Sequence, residues 1–187
     1  MLSYTKMYRI NKLLEINRKL FHTNDLAILW NIEDRHHLHI IISRYLKKGI
    51  LYPIYKGLYS VLPIHELDPI DLGKSIIHSF TYLSTESILS HAGIISQTVY
   101  DFTFISDKSK KVKVGDWVYR YRQMQDEFLY HPAGIMDQGG SFIATTERAV
   151  ADILYYNPRY HFDIVELIDF EKVTLIQEEI GYARIRT

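Results

Sequence analysis

An α+β chain in two parts is what this sequence predicts, and three observations predict it. Apolar positions recur at helical spacing through the first 48 residues. Residues 50–62 then switch to short β-branched and aromatic runs on either side of a glycine turn. The charge also divides. Residues 1–65 hold ten Lys and Arg against four acids, a net of +6, and residues 66–187 hold twelve against eighteen, a net of −6. A chain that is neutral overall but split in this way is expected to carry two domains with different partners, at 1–65 and 66–187. The second is expected to be a mixed α/β domain with a small antiparallel sheet.

Met7, Ile10, Leu13, Leu14, Asn17 and Leu20 follow helical spacing, which predicts a first helix from Thr5 to Phe21. Thr23 is expected to cap a second helix, with Asp25 in its first turn and Leu26, Ala27 and Trp30 on its inner face. Asn31 to Asp34 makes a turn, and a third helix runs from about Asp34 to Lys48 with Leu38, Ile41, Ile42, Tyr45 and Leu46 on one side. Lys47 and Lys48 suit the negative end of its dipole, and Gly49 supplies the left-handed residue that stops it. Ile50 to Ile54 and Leu58 to Leu62 form a hairpin around Tyr55-Lys56-Gly57. Helix, short helix, turn, longer helix, hairpin is the order of a winged helix-turn-helix domain.

Pro63 to Pro69 breaks the pattern and marks the boundary. Beyond it the sequence predicts a helix over Pro69 to Ser79 and another over Glu86 to His91, capped by Ser84 or Thr85 and stopped by Gly93. Strands are expected at Val99 to Ile105, Lys110 to Val114 and Trp117 to Arg122, the last two joined around Gly115-Asp116. Phe142 to Ala144 is a short strand. Thr145 caps a helix through about Tyr155 that Asn157-Pro158 ends, and Phe162 to Glu179 is mostly helical.

Several function classes are disfavoured. Without cysteine there is neither a disulfide framework nor a cysteine zinc site. No run approaches the roughly 18 apolar residues of a membrane span, and Met-Leu-Ser-Tyr-Thr-Lys has no apolar signal region. A soluble cytoplasmic protein with no membrane partner is expected. Ser84, Glu86, Ser87 and His91 invite a nucleophile and base reading. No Gly-x-Ser-x-Gly elbow surrounds either serine, and helix capping and packing explain them better. Gly139-Gly140 is followed by Ser141-Phe142, without the lysine of a phosphate loop. No catalytic residue, no cofactor and no enzyme activity are expected.

Nucleic acid is the partner that the basic part suggests, because basic charge lowers the cost of approaching phosphate. At 100° per residue the third helix turns Leu38, Ile42, Tyr45 and Leu46 inward and His36, Ile40, Ser43 and Lys47 outward, flanked by His37 and Arg44. His36 and Ser43 can hydrogen-bond base edges, and Ile40 can meet a thymine methyl. An exposed Ile40 requires DNA or protein to cover it. Arg44, Lys47 and Lys48 suit phosphates, with Lys56 at the hairpin tip. Thr23 and Asn24 can bring backbone N–H groups to a phosphate at the start of the second helix. The alternative is an ordinary solvated face. His36 and His39, three apart, have the spacing of a shared metal ion, but a surface or DNA-facing cluster accounts for His36, His37 and His39 without one. Histidine changes charge in the physiological range, so DNA affinity through this cluster is expected to fall as pH rises from about 6 to 8. In the second part, Tyr119-Arg120-Tyr121-Arg122 alternates along a strand that puts Arg120 and Arg122 on one face; it reads first as a half-exposed strand with the tyrosines inward, and alternatively as a secondary contact surface for DNA or a protein partner.

Three segments together resemble the AbiEi-family antitoxins, predicted transcriptional regulators of phage-defence loci. They are Leu46-Lys47-Lys48-Gly49-Ile50-Leu51 with Lys56-Gly57-Leu58-Tyr59, then Tyr82 to Ile95 (YLSTESILSHAGII), then Phe142 to Leu154 (FIATTERAVADIL). The resemblance spans roughly residues 20 to 156. It implies a DNA-binding N-terminal domain that represses its own operon at its own promoter. It also implies a C-terminal domain that helps to counter a toxin of nucleotidyltransferase type. The chain is not expected to be that toxin, which needs a Gly-Ser followed by clustered acids on a strand. An oligomer is compatible with this reading. Two others stand beside it: a plain winged-helix regulator whose C-terminal domain senses a ligand or dimerises, and a protein-interaction module that has lost DNA binding.

Overall fold

Residues 4–97 and 100–182 are described by the computed structural model. The fold is α+β, with eight α-helices and two sheets among the described residues. It divides into two units, Met1–Asp68 and Pro69–Thr187. No helix among the described residues is long and apolar enough to cross a membrane.

The first unit runs α1 (Tyr4–Glu15), β1 (Leu20–His22), α2 (Thr23–Trp30), α3 (Arg35–Lys47), β2 (Tyr52–Tyr55) and β3 (Leu58–Ser60). Leu13, Phe21, Leu26, Trp30, Leu38, Ile41, Ile42, Tyr45 and Leu51 form its core. Trp30 sets its ring edge-on to Tyr45 at 5.3 Å and donates from Nε1 to the Arg9 carbonyl, which ties α1 to α2.

The expected first helix is too long. It ends at Glu15, Asn17 takes a left-handed φ of 48°, and Leu20-Phe21-His22 form a strand against β3. Leu20 keeps helical spacing with the residues before it, so periodicity cannot separate the two states. The unpaired edge of β3, nearly forty residues away, decides, because backbone N–H and C=O groups there need partners. The sheet order is β1-β3-β2, antiparallel throughout.

The second unit contains α4 (Pro69–Ile76), β4 (Thr81–Leu83), α5 (Glu86–His91), β5 (Asp101–Ser106), β6 (Lys110–Val114) and β7 (Trp117–Gln123). It continues with α6 (Asp126–Leu129), β8 (Ile135–Gln138), β9 (Ser141–Ala144), α7 (Thr146–Tyr156) and α8 (Phe170–Ile180), the last preceded by a 3-10 turn at Val165–Leu167. Its sheet is not the small antiparallel one expected. Six strands lie in the order β6-β7-β5-β4-β9-β8, and the β5–β7 and β4–β9 pairings are parallel. β4 and β8 escape a sequence reading because three or four residues carry no resolvable alternation. Val99, the expected start of β5, lies outside the described residues. The helix expected to reach Ser79 stops at Ile76.

Gly73 marks where α4 meets this sheet. Its carbonyl accepts from the Tyr121 hydroxyl at 2.6 Å, and a Cβ there would stand 2.5 Å from Phe104 Cε2 and 2.8 Å from Tyr119 Cδ1. Aromatic rings held between strands cannot retreat far. Gly73→Ala is therefore expected to destabilise the second unit by about 1–3 kcal/mol. A lower urea midpoint with an unchanged slope would show it.

Candidate nucleic-acid interface

α3 is positioned from both ends. Asp34 caps it by accepting from the His36 N–H at 2.9 Å, and Gly49, at φ 64°, ends it. Leu38, Ile41, Ile42 and Tyr45 are buried. The opposite face leaves His36, His37, His39, Ser43, Arg44, Lys47 and Lys48 exposed. His36, His39, Ile40, Ser43, Arg44 and Lys47 surround one shallow depression of about 380 Å³. The outward set read from the sequence is thus brought together, with His39 as a member that the projection had left out of the contact set. Ile40 differs from expectation. It is half-buried rather than exposed.

α2 and the hairpin tip meet at Thr23. Its N–H and its hydroxyl both donate to the Gly57 carbonyl, at 2.8 and 3.2 Å. Thr23 is therefore not the cap of α2. His22 takes that position, its N–H bonded to the Asp25 carboxylate at 2.9 Å, while Arg18 pairs with Asp25 at 2.6 Å. The Thr23 backbone N–H is committed to the hairpin and does not face a phosphate; Asn24, next along, is exposed. The same bonds hold Lys56, exposed at the tip, beside the start of α2. Gly57 has φ 70°, and a Cβ would sit 3.3 Å from Thr23 Oγ1, so this turn requires glycine. Between α2 and α3 runs a groove of about 560 Å³ that Ile28, Arg35 and His39 help to line, and Ile28 on it is 81% exposed. Neither Arg35 nor the groove was anticipated, because both depend on how the two helices cross. Among the described residues no group of three or more His, Asp or Glu is arranged to hold a metal ion.

Arg120 and Arg122 are on one strand face as expected, but each is engaged within its own unit. Arg120 Nη2 meets Asp101 at 2.8 Å, with Lys111 at 3.7 Å from the same carboxylate. Arg122 pairs with Glu86 and lies over the Tyr156 ring. Tyr119 and Tyr121 are buried between them.

The serines of the second unit are committed to structure. Ser87 Oγ accepts from the Thr103 N–H at 2.7 Å and donates to the Asp101 carbonyl at 3.2 Å, which docks α5 on β5. Ser84 caps nothing. It donates to Asp152 Oδ2 at 2.7 Å inside a buried polar network. Thr85 occupies the cap position of α5 with φ 52° and ψ −130°, and its buried hydroxyl has no hydrogen-bond partner among the described residues. A β-branched residue in this region stores about 1–3 kcal/mol of strain. Ser84 follows Tyr82 by two residues at the end of β4, so both side chains share one face of the sheet and both reach Asp152.

That network is centred on two residues of α7, Arg148 and Asp152, both fully buried. All five guanidinium N–H groups are used: Nε to Asp152 Oδ1, Nη1 to the His131 and Ala133 carbonyls, and Nη2 to Tyr82 Oη and the Phe128 carbonyl. Asp152 accepts on both oxygens, from Arg148 and Tyr182 on Oδ1 and from Ser84 and Tyr82 on Oδ2. A buried ion pair with every donor and acceptor satisfied is the only form that low-dielectric surroundings tolerate well. Burial works against the Arg148 charge, but the Asp152 carboxylate, with Tyr82 and Tyr182, outweighs it and raises the guanidinium above its ordinary range. Burial, and then the Asp152 charge, push the Tyr82 and Tyr182 hydroxyls well above the usual phenol value. A phenol raised in the folded state contributes stability that is fully present below its unfolded pKa of about 10 and lost as pH rises further. Alkaline titration is therefore expected to unfold the second unit only above about pH 10, with the last tyrosinate absorbance appearing together with loss of circular dichroism.

Residues 82–95 and 142–154 thus meet. β4 pairs with β9 at Tyr82↔Phe142 and Leu83↔Ile143, and Tyr82 and Ser84 of one segment contact Arg148 and Asp152 of the other. No protein-family model matches this chain, and no curated protein matches it.

Proposed function

We propose that this chain is a DNA-binding transcriptional regulator whose first unit is a winged helix-turn-helix, with α3 as the recognition helix and β2–β3 as the wing. The observation that carries the reading is the single face of α3 on which His36, His39, Ser43, Arg44 and Lys47 stand exposed around one depression. Three further features support it: the element order, the β1-β3-β2 sheet behind the helices, and the net of +6 in residues 1–65. In this reading Arg44, Lys47, Lys48 and Lys56 neutralise phosphates, and His36, Ile40 and Ser43 meet base edges. The second unit performs no chemistry. By its resemblance to AbiEi antitoxins it helps to suppress a nucleotidyltransferase toxin.

A mobility shift with duplex DNA from upstream of the chain's own gene tests this. Retardation at about 50 mM salt that weakens steeply by about 200 mM is the expected result. Folded protein that fails to retard the duplex at the lower salt would overturn it. Rescue from growth arrest on co-expression with a neighbouring nucleotidyltransferase tests the antitoxin role. One observation favours the plain regulator instead: a cavity of about 340 Å³ in the second unit, bounded by apolar Leu83, Ile88, Phe102 and Ile143 and by polar His91 and Asp101, is of a size that suits a small ligand.

A further inference from the structure

Residues 163–171, Asp-Ile-Val-Glu-Leu-Ile-Asp-Phe-Glu, alternate acids with apolar residues and contain no basic residue. Most of the apolar members are not used in the core. Ile164 is 41% exposed, Val165 46%, Leu167 53% and Phe170 46%. Leaving four large apolar side chains in water within seven residues is unfavourable by the transfer cost of each, and such clusters mark contact surfaces.

The segment is nonetheless held in place. Phe162 and Ile168 are buried, and the Asp163 and Ile164 N–H groups both donate to the Ile94 carbonyl at 3.1 Å. The Asp163 carboxylate accepts from the Ser96 N–H at 2.5 Å, and Asp169 caps α8 through the Lys172 N–H. Asp163 and Asp169 are thus anchors, while Glu166 and Glu171 stand exposed among the apolar side chains. A ledge already fixed in its contact geometry loses little entropy on binding.

Charge selects the class of partner. Lys172, just past the segment, pairs with Asp169 at 3.0 Å, and the carboxylates of Asp163, Glu166 and Glu171 that remain repel nucleic acid and anionic lipid surfaces. A second copy applying the same ledge would set like charges against each other. We infer that residues 163–171 form a docking ledge for a different protein, one that offers an amphipathic helix whose apolar face is flanked by Lys and Arg. This inference is independent of the DNA reading, which concerns the other unit.

The probe is a fluorescein-labelled amphipathic helical peptide of leucine and lysine, about 18 residues long, followed by anisotropy against the full chain. Its charge keeps it off the basic first unit. The wild-type chain is expected to bind it, and to ignore a peptide in which serine replaces every leucine. Leu167→Asp with Phe170→Asp is the discriminating variant, since it adds negative charge while removing apolar surface. Docking requires its binding to weaken by about tenfold or more. Plain coulombic attraction requires it to stay equal or strengthen, and that outcome overturns the inference. Glu166→Lys with Glu171→Lys, which alters only exposed side chains, is likewise expected to weaken binding, and unchanged binding there also overturns it. So does absence of binding by the wild-type chain. A dimer seen in sedimentation and abolished by Leu167→Asp with Phe170→Asp would assign the ledge to a second copy and overturn the inference in its stated form.

Discussion

Asp152→Ala is expected to destabilise the second unit by about 3–5 kcal/mol, because it leaves the Arg148 charge buried without its counter-ion. It also strands the hydroxyls of Tyr82, Ser84 and Tyr182, which all donate to that carboxylate. Arg148→Met should cost a similar amount, since it leaves the carboxylate buried without its counter-ion and takes the guanidinium donors away from three backbone carbonyls. Replacing both residues with apolar side chains of matching volume should cost much less than the two singles together, because neither charge is then left alone. Trp30 lies in the first unit and Trp117 in the second, so denaturant titrations on a Trp30→Phe background read the second unit alone. Additive losses would show that the pair is not the coupled element its geometry implies.

Arg44→Ala with Lys47→Ala is expected to weaken binding to every duplex alike and to flatten its salt dependence. With about five phosphates neutralised, the slope of log affinity against log salt should be roughly −4 to −5, and each lost cation should reduce its magnitude by about one. His36→Ala and Ser43→Ala should behave differently. They should change which sequences are preferred, by about 1–3 kcal/mol at the affected base pair, with little change in salt slope. Titrations of matched operator variants at several salt concentrations separate the two outcomes. A uniform loss for all four substitutions would remove the division into phosphate and base contacts.

Much of the first unit was readable because its signals are local. The α3 boundaries, its inward Leu38, Ile42 and Tyr45, the Gly49 stop and the Lys56-Gly57 turn all follow from periodicity and left-handed glycine positions within a few residues. β1 was not readable, since Leu20 fits helix and strand equally until β3 offers its edge. Thr23 was misassigned for a related reason. A threonine before a helix is a good cap by sequence, yet its hydroxyl found the Gly57 carbonyl 34 positions away. In the second unit, Arg148 and Asp152 stand four apart on a helix, a spacing that reads as an exposed ion pair of slight value. Only the packing of β4, α6 and α8 around α7 reveals that both are fully buried.

The sequence by itself determined the division of charge, the α+β class, the helices with clear periodicity, and which residues share the outward face of α3. Those properties depend on composition and on neighbours within one or two turns, where chemistry and spacing suffice. Tertiary structure alone decided the six-stranded mixed sheet, the commitment of Ser84, Thr23, Arg120 and Arg122 to partners within their own units, and the buried network that joins the two downstream segments. Each of these depends on which distant backbone edge or charge comes within hydrogen-bonding reach, and on how far water is then excluded. Neither distance nor desolvation is written in the local pattern.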